Sequence, residues 1–182
     1  MSWTIHLNGL DPDSINDGIK SLRDYKKWVR RMTDELRRRV GDYIRENAQT
    51  AFNSAVADNV FAVKDGSPVD YTVMANVDVD VFYDDDNFTV VYAFGEHAVF
   101  IEFGAGVYYN GAPGSSPHPR GDDLGFTIGS YGKGNGVKKV WGFYGSDGLH
   151  LTHGTPAQMP MYKAEMAAVN DIVNIAREVF RA

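Results

Sequence analysis

The chain has 182 residues, of which 43% are hydrophobic and 13% aromatic, enough to build one core without the help of disulfides or metal. It contains no cysteine, which excludes thiol chemistry, and its formal net charge of −6 is unfavourable for wrapping nucleic acid. No apolar run approaches the roughly 18 residues of a membrane helix, and the first residues lack an export signal, so we expect one soluble domain over residues 1–182.

The N-terminal part of the sequence predicts a short strand followed by helix. Apolar and polar residues alternate over Trp3–Leu7, and a turn is expected at Asn8–Gly9. Asp11–Ser14 supplies residue types that begin a helix, which we expect to be short. From about Tyr25, apolar residues recur every three or four positions as far as Ala55. This stripe predicts one long helix of about 45–50 Å, longer than a compact domain of this size is wide, so part of it is expected to face a neighbouring subunit.

The opposite face of the long helix carries basic residues in an otherwise acidic chain. They are Arg23, Lys26, Lys27, Arg30, Arg31, Arg37, Arg38 and Arg39. One interpretation, which we favour, is a solvated face with ion pairs to nearby acidic residues one helical turn away. The other is an interface with an acidic neighbour, for which Arg30, Arg37 and Arg38 are the candidates.

Between Val69 and Phe94 the pattern changes to the two-residue period of β-strands. Val77, Val79 and Val81 alternate with aspartates, and a second alternating run follows the turn at Asp84–Asn87. We expect an antiparallel hairpin with one polar face and one buried face. The acidic turn does not fit the EF-hand spacing, so a solvated tip is favoured over a cation site.

A glycine-rich stretch follows the apolar segment Ala98–Phe103. It holds ten of the 19 glycines and has no sustained period, which predicts an extended loop over residues 104–139. Short strands are expected at Val140–Tyr144 and Leu149–Thr152, and a final helix to about Phe180. Together the elements predict an α+β fold in which a long N-terminal helix and a C-terminal helix pack on a small, mostly antiparallel sheet.

Three kinds of chemistry can be tested against the residue spacing. The segment Gly129–Lys139 does not match a phosphate-binding loop, because Asn135 stands where the lysine is required. His118, His150 and His153 are candidate metal ligands, but their spacing matches no zinc motif, and no serine lies in a G-x-S-x-G sequence. We therefore expect no enzymatic activity and no cofactor. A histidine-dependent metal hydrolase is the remote alternative, and stoichiometric zinc that is lost on replacing His150 would identify it.

Two motifs bracket the glycine-rich loop. The first is Ala98-Val-Phe-Ile-Glu-Phe-Gly-Ala-Gly106, and the second is Thr152-His-Gly-Thr-Pro-Ala-Gln-Met-Pro-Met-Tyr-Lys-Ala164, which opens the final helix. With the long N-terminal helix, they resemble the minor neck and tail-component proteins of long-tailed double-stranded DNA bacteriophages. The residues that carry the motifs are Glu102, Phe103, Gly104, Gly106, Pro156 and Pro160. The proline-aspartate-threonine-glycine segment usual in that family is present only as Ser67–Asp70, without its glycine.

This resemblance implies a structural virion protein with no catalytic residues. The chain would form an oligomeric ring around the DNA channel at the phage neck and complete the connection between head and tail. Its implied partners are further copies of itself, head-closure or portal-side proteins, and tail terminator or tail-tube proteins. Contact with genomic DNA would be at most non-specific, and none is implied with a membrane. The implied location is the neck or tail of the virion, after assembly in the bacterial cytoplasm; a tail terminator or minor tail protein is the alternative.

The two motifs have two physical interpretations. Gly104 and Gly106 allow backbone conformations closed to other residues, and Pro156 and Pro160 fix the entry into the last helix, so we expect them mainly to build the fold. Direct contact with neighbouring ring proteins is the other interpretation. Aromatic residues in and after the loop are the first candidates for that contact, because aromatic side chains are enriched as interface anchors. They are Tyr108, Tyr109, Phe126, Tyr131, Trp141, Phe143 and Tyr144.

Overall fold

A computed structural model confirms the predicted α+β class. Its elements in chain order are α1 (Pro12–Asn53), β1 (Val56–Lys64), β2 (Ser67–Met74), β3 (Asp78–Tyr83), β4 (Thr89–Phe94), α2 (Ala98–Phe103), β5 (Trp141–Gly145), β6 (Gly148–Thr152) and α3 (Pro160–Arg181). The residues that the structure describes are 4–5, 8–9, 11–64, 67–84, 88–104, 118–121, 123–124, 141–145, 148–152 and 157–181. Most of the predicted strand at Trp3–Leu7 and most of the predicted loop lie outside them.

Helix α1 is one continuous helix of 42 residues, about 63 Å long. The Asp11 side chain accepts a hydrogen bond from the Asp13 amide and caps its first turn, and Pro12 provides a preorganised first residue. We predicted a short helix and a separate long one from about Tyr25, and this division is wrong. The intervening residues contain neither glycine nor proline, so nothing in the backbone interrupts the helix.

Helix α3 confirms the predicted C-terminal helix and runs back along α1. Near its start, Ala164 packs in the same core cluster as Ala48 and Phe52 of α1. At its other end, the Phe180 ring lies edge-on to the Trp28 ring, with the ring centroids 5.7 Å apart. The two helices are therefore antiparallel, and α1 continues beyond the end of α3 towards Pro12. No helix in the described part of the chain is long and apolar enough to cross a membrane.

The strands form two antiparallel sheets where the sequence predicted one small sheet. The larger has four strands in the order β2-β1-β6-β5, and the smaller is the β3–β4 hairpin. Strands β5 and β6 pair as the sequence predicts. Strand β1 was not predicted, because Val56–Lys64 has polar residues in both alternating positions and follows directly on a helical stripe.

The β3–β4 hairpin packs one face against α1. That inner face carries the cross-strand pairs Val79–Ala93, Val81–Val91 and Tyr83–Thr89. The expectation that the outer face of the hairpin is polar is only partly right. The outer face carries Asp78 and Asp80, but it also exposes large apolar side chains: Phe82, Phe88, Val90, Tyr92 and Phe94.

Gly41 lies where α1 approaches the hairpin at close range. A Cβ atom at this position would lie 2.9 Å from Thr89 Cγ2 and 3.2 Å from both Tyr83 Cε1 and Val81 Cγ2. These distances are shorter than ordinary van der Waals contact, so a larger side chain forces the neighbouring side chains of the hairpin to shift. The absence of a side chain at Gly41 therefore permits this close approach of α1 to the hairpin.

Replacing Gly41 by leucine is expected to destabilise the protein by about 1–3 kcal/mol, because the new side chain overpacks the contact with the hairpin. Urea unfolding followed by circular dichroism measures the change. Glu46→Leu, on an exposed position of the same helix, is the matched control and should change stability by less than about 0.5 kcal/mol. Equal stabilities of the two variants would contradict the close contact.

Candidate functional site

The carboxylate of Glu102 caps the beginning of α3. Glu102 lies in α2, is only 7% exposed, and accepts hydrogen bonds from the Met161 amide (2.8 Å, to Oε2) and the Tyr162 amide (2.9 Å, to Oε1). These are N–H groups of the first helical turn, which have no partner within the helix. A negative charge there also interacts favourably with the helix dipole. The first motif thus supplies the cap for the helix that the second motif begins.

The cap comes from elsewhere in the chain because the residue at the N-cap position of α3 has no side chain that can cap the helix. The carbonyl of Met159 accepts the first helical hydrogen bond, from the Lys163 amide at 2.9 Å, so Met159 occupies the N-cap position. Its φ of 56° is in the left-handed region, and its thioether is a poor hydrogen-bond acceptor. Pro160 follows as the first helical residue, is buried, and has no amide hydrogen that needs a partner.

His118 completes the arrangement around Glu102. Its Nε2 lies 3.0 Å from Glu102 Oε1, and its Nδ1 accepts a hydrogen bond from the Arg120 amide at 3.0 Å. Since Nδ1 is the acceptor, Nε2 carries the proton and donates to the carboxylate. The imidazole is 6% exposed and lies between the rings of Phe103 and Tyr162, at centroid distances of 4.4 and 5.3 Å.

These contacts explain how the two sequence motifs are related. The Ile101 carbonyl accepts a hydrogen bond from the Gln158 amide at 2.8 Å, next to the Glu102 contacts, so the motifs touch through backbone and side chain. Gly104 ends α2 with a φ of 78°, which glycine adopts without strain. Glu102, Phe103, Gly104 and Pro160 thus make their contacts or turns within the fold of the chain itself. Gly106 and Pro156 lie outside the described residues.

His118 also changes the description of the glycine-rich loop. The sequence predicts one excursion over residues 104–139. Instead, residues 118–121 return to the body of the protein, where His118 and Gly121 are buried. The aromatic candidates Tyr108, Tyr109, Phe126 and Tyr131 lie outside the described residues.

The arrangement around His118 is unfavourable for a metal at that residue, because both imidazole nitrogens already have partners within the protein. Among the described residues, no three histidine or carboxylate side chains lie close enough to hold a metal ion. For His150 only the backbone is described, and His153 is outside the described residues. A groove of about 470 Å³ adjoins the cluster, and its lining includes Val91, Ala98 and Met161.

The basic candidates on α1 divide into two groups. Arg37 donates to the carbonyls of Asp84 (2.6 Å) and Phe88 (2.8 Å), at the two sides of the hairpin turn. The guanidinium of Arg38 lies 5.1 Å from the centroid of the Tyr83 ring. Arg37 and Arg38 therefore contact the hairpin of their own chain. Arg30 is exposed and lies about two helical turns nearer the N-terminus.

Tyr83 connects the end of β3 to α1. Its hydroxyl donates to the Arg38 carbonyl at 3.2 Å. Burial, followed by the nearby Asp42 carboxylate, raises the pKa of Tyr83 to about 12, although Arg38 and Arg45 oppose the shift. The neutral phenol is thus the form that fits the contact between hairpin and helix.

Among the described residues, exposed apolar side chains concentrate on three faces; the sequence indicated only that part of the long helix faces a neighbour. The N-terminal part of α1 exposes Ile15, Ile19, Leu22 and Tyr25, the outer hairpin face exposes the residues named above, and α3 exposes Met166, Val169, Ile172 and Val173. In β5, Tyr144 is 84% exposed, while only the backbone of Trp141 and Phe143 is described. Large exposed apolar patches are typical of surfaces that contact other proteins.

No protein family model matches the chain, and no curated protein or solved structure is detectably similar to it. The resemblance to phage neck proteins therefore stays a prediction from the motifs.

Replacing Glu102 by glutamine is expected to destabilise the protein by about 1–3 kcal/mol, because the new NH2 group cannot accept the hydrogen bond that a backbone N–H of α3 donates at that position. Urea unfolding measures the loss. Glu96→Gln, an exposed position just before α2, is the control and should stay close to the original protein. If the two variants were equally stable, the carboxylate would not be the cap of α3.

The raised pKa of Tyr83 predicts a loss of stability at high pH. An unfolded tyrosine ionises near pH 10, about two pH units below folded Tyr83, so the folded state holds this proton more tightly. Its stabilisation is complete below about pH 10 and is lost as the pH rises towards about 12. Stability measured across this window should fall more steeply for the original protein than for Tyr83→Phe. Parallel pH curves for the two proteins would contradict the assignment.

Proposed function

We propose that the chain is a structural subunit of a tailed-phage virion, which forms an oligomeric ring at the neck and joins head to tail around the DNA channel. The exposed apolar surface is the observation that carries this proposal. Three apolar faces lie on different elements, which suits a subunit that contacts neighbours on more than one side.

The two motifs support the phage assignment in a second way. The residues that resemble the family come from segments about 60 positions apart, and Glu102 joins them through the Met161 and Tyr162 amides. The motifs therefore form one structural unit, as expected if both define a fold shared with such proteins. His118, from the chain between the motifs, adds a third hydrogen bond to the same carboxylate.

The proposed position at the phage neck implies the binding partners of the chain. Other copies of the chain form the ring, head-closure or portal-side proteins lie on one side, and tail terminator or tail-tube proteins lie on the other. The net charge of −6 limits contact with the genome to non-specific contact, and lets DNA slide through the channel. A tail terminator or minor tail protein differs from this proposal in position within the particle, and not in chemistry.

The test is the location of the chain in assembled particles. Tailed particles purified from the host that encodes the chain should contain it at several copies per particle by quantitative mass spectrometry. Labelling with an antibody against the chain should mark the junction of head and tail in electron micrographs. Label at the distal end of the tail would favour a minor tail protein, and particles that lack the chain would overturn the proposal.

A further inference from the structure

The N-terminal part of α1 extends past the end of α3. The last turn of α3 lies against Trp28, so the segment from Pro12 to Trp28, about 24 Å of helix, continues beyond it. Ile15, Ile19 and Leu22 are 41%, 42% and 55% exposed there. We call this surface, together with its basic residues up to Arg31, the helix extension.

The exposed stripe of the helix extension continues the face of α1 that already packs on β-structure. In the second half of α1, Arg37, Gly41 and Ile44 face the hairpin of the same chain. Stepping back along the helix by three, four or seven residues from Arg37 leads to Arg30, Lys26, Leu22, Ile19 and Ile15. Residues at these spacings share one face of a helix. The same face is thus covered by a hairpin in one half of α1 and exposed in the other half.

The outer face of the β3–β4 hairpin has the complementary character. The pairs Phe82–Val90, Asp80–Tyr92 and Asp78–Phe94 place apolar residues along β4 and aspartates along β3. Phe88 extends the apolar row, with its ring 6.5 Å from that of Phe82. Residues 78–94 contain five aspartates and no lysine or arginine.

The helix extension carries the opposite charge. Residues 12–31 contain six lysines and arginines and three aspartates, although the chain as a whole is acidic. Arg23 follows Ile19 by four positions and Arg30 follows Lys26 by four, so basic side chains lie beside the apolar stripe. An apolar row beside a basic row on the helix thus matches an apolar row beside an acidic row on the hairpin. The lengths agree as well, since about 22 Å of helix from Ile15 to Arg30 faces strands of six residues, about 20 Å.

We propose that the helix extension of one copy of the chain docks on the outer face of the β3–β4 hairpin of the next copy. The two surfaces belong to different parts of the chain, so the contact can repeat head-to-tail from copy to copy, as the proposed ring requires. Apolar residues supply the buried area, and Arg23, Lys27 and Arg30 face Asp78 and Asp80 to fix the direction. This inference rests on the proposed function, since it identifies the contact between neighbours in the ring.

Charge reversal on each surface tests this contact. The helix variant is Arg23→Glu, Lys27→Glu and Arg30→Glu; the hairpin variant is Asp78→Lys and Asp80→Lys; and a combined variant carries all five changes. Each single-surface variant places like charges across the contact and should self-associate at least about tenfold more weakly than the original chain. The combined variant restores opposite charges, with their places exchanged, and should recover association. An equal mixture of the two single-surface variants should also associate, because each contact between unlike chains is then attractive.

Sedimentation velocity and native mass spectrometry measure association of the full chain, and circular dichroism confirms that each variant is folded. Glu46→Lys with Glu165→Lys changes the net charge as much as the hairpin variant does, on exposed positions outside both surfaces, and should not weaken association. Raising the salt from about 50 mM to about 500 mM should reduce the difference between the single-surface variants and the original chain.

Three results overturn the docking contact, the first two of which concern the variants. One is association of both single-surface variants at the strength of the original chain, and the other is failure of the folded combined variant to recover it. A monomeric original chain at every concentration also overturns the contact, because it leaves no self-association to explain. None of these outcomes changes the location of the chain in the particle, which is the separate test of the proposed function.

Discussion

The burial of the Glu102 carboxylate is the constraint on which the rest of the structure depends. A carboxylate is costly to remove from water unless hydrogen-bond donors surround it, and Glu102 receives two amides of α3 and the imidazole of His118. His118 is buried and the two amides belong to partly buried residues, so these donors need the carboxylate in return. The positions of α2, residue 118 and the start of α3 are therefore mutually dependent.

Much of the fold could be predicted from periodicity, but the contact that organises it could not. The helical stripes and the alternation around β3, β4, β5 and β6 are local signals, and the structure confirms them. The capping of α3 joins residues about 60 positions apart, so no local pattern contains it. Two weak signals were present: a lone glutamate in the apolar run Ala98–Phe103, and a helix start at Pro160 without a serine, threonine or aspartate directly before it. The glutamate alone suggests missing hydrogen-bond donors, and the helix start alone suggests a missing acceptor. Together they suggest that the glutamate caps the helix.

The hairpin shows why a two-residue period leaves the choice of face open. Both faces of β3–β4 carry apolar side chains, so alternation alone cannot identify the side that packs on the core. The contact with α1 decides it, because Gly41 lies against Val81, Tyr83 and Thr89, which therefore form the inner face. Phe82, Phe88, Tyr92 and Phe94 are thereby placed outside. The candidate interface on the outer face is thus a consequence of tight packing on the inner face.

The helix extension raises the question of what keeps it helical. Helices shorter than about 12–15 residues are marginal in water, because nucleation of the first turn is costly. Here the packed half of α1 supplies the nucleus, and the Asp11 cap stabilises the far end. Between them the helix gains one hydrogen bond per residue but buries little of its apolar stripe. We therefore expect the extension to be the least stable part of α1 in a single copy. In the proposed ring, contact with a neighbouring hairpin buries the apolar stripe of the extension. Helix formation in the extension and assembly of the subunits are then coupled.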